Sequence, residues 1–350
     1  MVERSVEMET SWIAAQKAAS NNVFPLPLDI PPMEARTAAR LPEGPWQYEP
    51  KWDGFRCLIF KGKETVELRA KSGKPLGRYF PELTTMLREL AASQFVMDAE
   101  ILIEIDGLAS FEALQMRLHP AESRIRKLSI ETPARLILFD ALAAPGGSIL
   151  LEKPLPDRRR AIEDFVDKAK NAMLKLSPAT TSLATAGRWL RGAGQGATDG
   201  VVAKALAEPY RPGERAMIKV KRLRTADCVV GGFRYLSGKH QVGSLLLGLY
   251  NERGQLDHVG FTSTIANEER AALTKRLEAL RGGPGFTGKA PGGPSRWNTE
   301  RSEKWEPVRP QLVAEVRFDH VTGDRFRHGT RLVRWRPDKA PRQCTFEQIA

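Results

Sequence analysis

Near Arg224 the chain changes character, and that change constrains its fold more than any single residue does. Before it, WQYEPKWDGFRCLIF, TVELRAK, QFVMDAEILIEI, RLILFDAL, TDGVVAKAL and AMIKVKRLR read as strands. FPELTTMLRELAAS reads as an amphipathic helix with Pro81 in its first turn, SFEALQMRL as a helix capped by Ser110, and DRRRAIEDFVDKAK as one capped by Asp157. Strands and helices mixed without strict βαβ alternation predict an α+β domain. After Arg224, CVVGGFRYL, VGSLLLGLY, HVGFTST, LVAEVRF and FRHGTRLVRW are short strands parted by Gly-containing turns, interrupted by one helix, NEERAALTKRLEALR. That spacing fits a small barrel or sandwich. The 350 residues therefore divide into domains at 23–224 and 225–350. Residues 1–22 carry little pattern and are expected to form a weakly ordered arm. Pro25, Pro27, Pro31 and Pro32 mark an extended lead-in. Gly282–Pro294, with six Gly and three Pro, is expected to be mobile.

The net charge is +12, shared evenly: 20 basic against 14 acidic residues from 225 onward, 34 against 28 before. A polyanionic partner such as nucleic acid follows, and both domains could touch it; a surplus kept for solubility is the plainer alternative. One tight cluster sets Arg325, Arg327, Arg331, Arg334, Arg336, Lys339 and Arg342 against Asp338 alone. Cys57, Cys228 and Cys344 form no CxxC pair, and the five histidines no HExxH, which argues against a disulfide framework or a zinc site. No apolar run is long enough to span a bilayer, and the acidic N-terminus lacks the features of a signal peptide. These points predict a soluble cytoplasmic protein that does not engage membranes.

Glu49-Pro50-Lys51-Trp52-Asp53-Gly54-Phe55-Arg56 is the sharpest local feature. A lysine fixed at a strand end becomes a nitrogen nucleophile where nearby cations favour its neutral form. Asp53-Gly54 would equally suit an ordinary surface hairpin. Four further segments follow in order. Met97-Asp98-Ala99-Glu100 puts a carboxylate at a strand end. Leu138-Phe139-Asp140 sets a flat ring beside an acid, either core or a platform for a purine. Asp199-Gly200-Val201-Val202-Ala203-Lys204 offers a turn acid, a buried strand and a cation. Ile218-Lys219-Val220-Lys221 alternates, so both lysines share one face.

Together these segments resemble the covalent nucleotidyltransferases: ATP-dependent DNA ligases, RNA ligases and mRNA-capping enzymes. YEPKWDGFR, FDAL, DGVVAK, IKVK and the ending FRHGTRLVRWRPDK are most similar to the small bacterial ATP-dependent DNA ligases of the ligase C type, from about residue 23 to the C-terminus. The resemblance implies a bilobal α+β protein: an ATP-grasp-like adenylation (nucleotidyltransferase) domain followed by an OB-fold β-barrel. It implies that Lys51 attacks the α-phosphorus of ATP to give a lysyl–AMP. It places Glu49 beside adenine, Arg56 near the ribose and the nucleic-acid phosphate, and Phe139 stacked on the base. Glu100 would meet ribose hydroxyls or assist the metal, and Asp199 would help hold Mg²⁺ (or Mn²⁺). Lys219 and Lys221 would neutralise the α-phosphate, with Lys204 among the nucleotide contacts, and Arg336 and Lys339 would orient the β- and γ-phosphates. The sequence departs from the family pattern in three places: Ala99 replaces a usual glycine, Asp199 a more frequent glutamate, and Lys71 an arginine. A Lys71 ammonium would meet a phosphate as a point charge instead of a fork.

The implied function is sealing of nicked double-stranded DNA in repair, by a monomer that relies on repair or end-joining accessory proteins. Two alternatives share residues with it. An RNA ligase or GTP-using capping enzyme has the same lysine motif, although RWRPDK and FDAL look more like the DNA ligases. A non-catalytic OB-fold protein that binds nucleic acid would bind equally well without Lys51.

Overall fold

The computed structural model describes residues 23–194, 197–292 and 304–349. The expected N-terminal arm, and the last two residues of the Gly/Pro-rich loop, lie outside them. The chain divides into two compact units between Lys221 and Arg222.

The first unit holds strands β1 (Ala35–Thr37), β2 (Trp46–Trp52), β3 (Phe55–Lys61), β4 (Val66–Ala70), β5 (Phe95–Ile105), β6 (Leu108–Ala109), β7 (Ala134–Ala144), β8 (Ser148–Ile149), β9 (Leu174–Leu176), β10 (Thr198–Ala205) and β11 (Met217–Lys221). They build two sheets. One has the order β1-β11-β10-β2; the other runs β4-β3-β5-β7-β8, with β6 on β5 and β9 on β7. The stretch that reads as one long strand, WQYEPKWDGFRCLIF, is broken at Asp53-Gly54, where the chain crosses from one sheet to the other. Both faces of the larger sheet are buried, as alternation along β3 shows. Cys57 and Ile59 join the core under the helices; Leu58 and Phe60 pack with Leu26, Ile30, Met33, Tyr210 and Met217.

Helix Pro81–Glu89 begins with proline at its first position, and helix Phe111–Arg117 is capped by Ser110, whose Oγ accepts from Ala113 N at 3.2 Å. The helix expected over DRRRAIEDFVDKAK departs from expectation at its start. It spans Leu155–Ala169 with Pro154 at the cap, and Asp157 sits inside the first turn without a capping bond. Proline fixes the backbone there, and the Asp157 charge still favours the helix dipole.

The second unit holds β12 (Arg224–Tyr235), β13 (Val242–Tyr250), β14 (Leu256–Thr262), β15 (Glu306–Pro307), β16 (Val313–Phe318), β17 (Val321–Thr322), β18 (Arg325–Phe326) and β19 (Arg331–Trp335). The sheet order is β14-β13-β12-β16-β19, with β15 on β12 and a separate β17-β18 hairpin. A bridge from Thr262 to Thr330, beside a 2.9 Å hydrogen bond from Thr262 Oγ1 to Thr330 O, curls its two ends together around one core. The described part of the Gly/Pro-rich loop is mostly exposed but anchored at its middle, where Gly285 and Phe286 are buried. Phe286 enters the core edge-on to His258 and Trp305, and Thr287 Oγ1 accepts from Leu256 N at 2.9 Å. His258 is itself buried, 2.6 Å from Arg325 Nη2 through Nδ1; burial first, then the Arg325 and Arg234 charges, push its pKa down to about 3. All three cysteines are free and 0% exposed. No helix among the described residues is long and apolar enough to cross a membrane.

Candidate active site

Three strands of the smaller sheet place the lysines. Gly200 on β10 lies opposite Lys51 on β2 and opposite Lys221 on β11. A Cβ on Gly200 would stand 2.2 Å from Val220 O, so only glycine lets β11 approach this closely. The register shifts between Thr198 and Gly200, and this irregularity aims Asp199 between the two cations. Lys51 Nζ lies 2.8 Å from Asp199 Oδ1, and Lys221 Nζ 3.0 Å from Oδ2. The first contact is an ion pair and not an aligned hydrogen bond: Oδ1 is buried and accepts none of good geometry. Lys219 shares the face of Lys221. Burial, then the Lys51, Lys221 and Lys71 charges, hold its pKa below the ordinary lysine value.

Two residues before Lys51 on β2, Glu49 is buried. Its Oε1 takes both Lys204 Nζ at 2.8 Å and Gln47 Nε2 at 2.9 Å. Lys204 also donates to Phe139 O at 2.6 Å and sits 4.9 Å from the centre of the Phe139 ring; Arg56 Cζ is 5.5 Å from the same centre. Asp140 is 3.7 Å from Lys204 and 2.7 Å from Arg158 Nε. Burial alone would raise its pKa, but those two cations hold it below the usual carboxylate range.

The larger sheet supplies Arg56 on β3, directly opposite Glu100 on β5. Arg56 donates Nε and Nη2 to Asp98 at 3.0 and 2.7 Å. Tyr210 donates its hydroxyl to Asp98 at 2.7 Å while accepting from Met33 N at 3.0 Å. Gly54 N donates to Glu100 Oε1 at 3.0 Å, and a Cβ on Gly54 would lie 2.2 Å from Ile101 O. Burial pushes Glu100 up to about 7, although Lys51 and Arg56 pull it down. Ala99, which stands where the family has glycine, is accommodated in the core opposite Cys57. Lys71 sits in the turn after β4, half exposed, 3.0 Å from Glu34 Oε1.

In the second unit Arg336 and Lys339 meet on one carboxylate. Arg336 Nη1 donates to Asp227 at 3.0 and 2.9 Å, Lys339 Nζ to Asp227 Oδ2 at 2.8 Å, and Arg336 also grips Asp338.

Asp199 touches Lys51, and Glu100 lies close enough to feel the Lys51 charge. Hard carboxylate oxygens, one of them buried without an aligned donor, suit a divalent cation such as Mg²⁺. No group of three or more His, Cys, Asp or Glu gathers among the described residues, so such an ion would need further oxygens from substrate. Of the expected residues, Lys51, Asp199, Lys219 and Lys221 gather on one sheet, with Glu49 and Lys204 on the same strands; Arg56 and Glu100 pair on the other, and Phe139 lies against Arg56 and Lys204. Sequence reasoning missed Asp98, Arg158, Tyr210 and Gln47. Only Asp98 had a visible signal, its i, i+2 relation to Glu100.

Residues 32–221 match the family model described as "ATP dependent DNA ligase domain", and 238–339 the one described as "ATP dependent DNA ligase C terminal region". The chain is 41% identical over 337 residues to DNA ligase C1 of Mycolicibacterium smegmatis, covering 93% of this chain and 95% of that protein. It is also 41% identical over 342 residues to DNA ligase C of Mycobacterium tuberculosis, with the same coverage. A solved Lig E DNA ligase superposes with a TM-score of 0.55 at 16% identity, covering 87% of this chain and 100% of that one, a likeness of fold. These relatives are DNA ligases, so the RNA-ligase, capping and non-catalytic alternatives fall away. An adenylation domain with its lysine motif in place, followed by an OB-fold barrel, makes this chain a member of the ATP-dependent DNA ligase family.

Proposed function

We propose that the protein seals 3′-hydroxyl/5′-phosphate nicks in duplex DNA through Lys51. Lys51 Nζ, once deprotonated, forms a bond to the α-phosphorus of ATP as the bond to pyrophosphate breaks. The 5′-phosphate of the nick then displaces Lys51 from the adenylate. Finally the 3′-hydroxyl attacks that phosphate, and AMP leaves with the proton balance closed by solvent. This chemistry needs positioning and charge neutralisation more than acid–base groups. Lys219 and Lys221 face the α-phosphate, and Glu49 offers the base its second oxygen because the first is fully occupied. Phe139 stacks on the base, Lys204 braces Glu49 and Phe139, Arg56 meets ribose or the nick phosphate, and Lys71 a phosphate at the rim. Asp199 and Glu100 would hold the divalent cation, which when bound supplies charge neutralisation at the phosphates. Arg336 and Lys339 take the β- and γ-phosphates. Domain roles follow the 23–224 and 225–350 division, and repair or end-joining proteins would bring this ligase, acting as a monomer in the cytoplasm, to its nicks.

The observation that carries the proposal is the meeting of Lys51 and Lys221 on Asp199 across Gly200. Incubation with α-labelled ATP and Mg²⁺, followed by a denaturing gel, should show a labelled protein. Lys51→Ala should show none while its thermal midpoint stays unchanged. Label persisting on that variant would assign the nucleophile elsewhere.

A further inference from the structure

The second unit carries an arginine pair that the roles above leave unused. β16 and β19 run antiparallel with Arg317 directly opposite Arg331, and β12 continues the row with Thr225. The row points away from the core: Ala314, Val316 and Phe318 join the apolar cluster, while Glu315 and Arg317 alternate with them along β16. Two residues along β12 and β16, and three along β19 where the register shifts, comes a second row of Asp227, Glu315 and Arg334. That is a step of about 7 Å.

Every acid near the pair is already taken. Asp227 accepts from Arg336 and Lys339, Asp338 from Arg336, Glu315 from Arg334 at 2.6 Å, and Asp319 pairs with His328 at 3.1 Å. The guanidinium groups of Arg317 and Arg331 make no ion pair or hydrogen bond with the described residues, and Arg331 is exposed. Like charges facing each other across a ladder are unfavourable unless an anion lies between them.

We propose that Arg317 and Arg331 form a second phosphate-binding pair for the adenylation step, gripping the polyphosphate end of ATP and the pyrophosphate as it leaves. The inference rests on the roles proposed for Arg336 and Lys339, which occupy the same face. A triphosphate laid across that face meets both rows, and an arginine fork binds phosphate oxygens two at a time. The alternative anion is the DNA backbone. The two sources separate by reaction step, because pyrophosphate takes part only in adenylation.

The experiment uses the full chain as Arg317→Gln, Arg331→Gln, the double variant and Arg336→Gln. It measures labelled-AMP transfer to the protein over a range of ATP, reversal of the purified adduct by pyrophosphate, and sealing of nicked DNA that already carries a 5′-adenylate. The double variant should raise both the KM for ATP and the pyrophosphate concentration for half-maximal reversal by about tenfold, a change of about 1.4 kcal/mol. Sealing of the pre-adenylated nick should stay at the native rate. Arg→Lys at both positions should recover part of the loss and serves as the reading pair should the Gln variants melt early. Normal adenylation in the double variant with loss in Arg336→Gln overturns this inference alone. Normal adenylation in both overturns the reading of Arg336 as well. An equal loss on the pre-adenylated nick assigns the pair to DNA, and the inference fails.

Discussion

Asp199 touches Lys51 with one oxygen and Lys221 with the other, so a single carboxylate grips the proposed nucleophile and its neighbouring lysine together. Attack on phosphorus requires that grip to loosen, which a phosphate competing for the lysines and a cation competing for the Asp199 oxygens would achieve. Asp199→Asn keeps the shape and removes the charge, leaving three lysines close together without an acid between them. Adduct formation should fall by about 100-fold, as for loss of a major charge-stabilising group; a rate within a few-fold of native would remove Asp199 from the site. A second prediction concerns His258. Its folded pKa is depressed to about 3, so the unfolded chain binds the proton first, and the stability His258 contributes is present above its unfolded pKa of roughly 6.5 and is lost as pH falls toward 3. Between pH 7 and 5, His258→Asn should flatten the decline in the second unit's thermal midpoint. An unaltered slope would assign acid sensitivity to other groups. The sequence made Lys51 and Asp199 legible through the motifs that contain them, and the two β11 lysines because alternation sets their strand face. Asp98 and Tyr210 were not, since Arg56 finds the first 42 residues away and Tyr210 meets it across 112. Partner choice at that separation depends on the packed fold.

At the scale of elements, β2, β10 and β11 set the site by register alone, with Gly200 at the point of closest approach. Gly200→Ala would drive a methyl into Val220 O and part the strands carrying Lys51 and Lys221. Adduct formation should drop at least tenfold, together with stability by about 2 kcal/mol, in the range of overpacked positions. Native rates in that variant would mean the strand spacing does not tune the chemistry. The strands themselves were legible from composition, but the exchange of sheets at Asp53-Gly54 was not. Alternation continues through it, and the partners of β2 and β3 lie in different parts of the chain. Helix Leu155–Ala169 taught the converse lesson. Asp157 looked like a cap, yet the proline before Leu155 starts the helix and Arg158 then turns inward to Asp140.

The molecule as a whole is two units, each with its own core. Calorimetry of the ligand-free protein should depart from a single two-state transition. Arg158→Ala, which takes from the buried Asp140 its closest cation, should lower the first unit's transition by about 3 kcal/mol and leave the second in place. If both transitions move together, the units unfold as one. Residues on either side of 224/225 carry equal excess charge, so the logarithm of the affinity for nicked DNA should fall linearly with log salt, with a slope of about −0.9 per phosphate neutralised; an affinity insensitive to salt would contradict contact through charge. The three cysteines have a practical corollary at this scale. Cys57, Cys228 and Cys344 are all sealed in cores, so a maleimide meets no native target until the chain unfolds. A cysteine introduced on the surface of either unit would accept a fluorophore without first rebuilding a thiol-free protein. The native thiols would meanwhile report unfolding by mass, with Cys57 speaking for one unit and the other two for its neighbour.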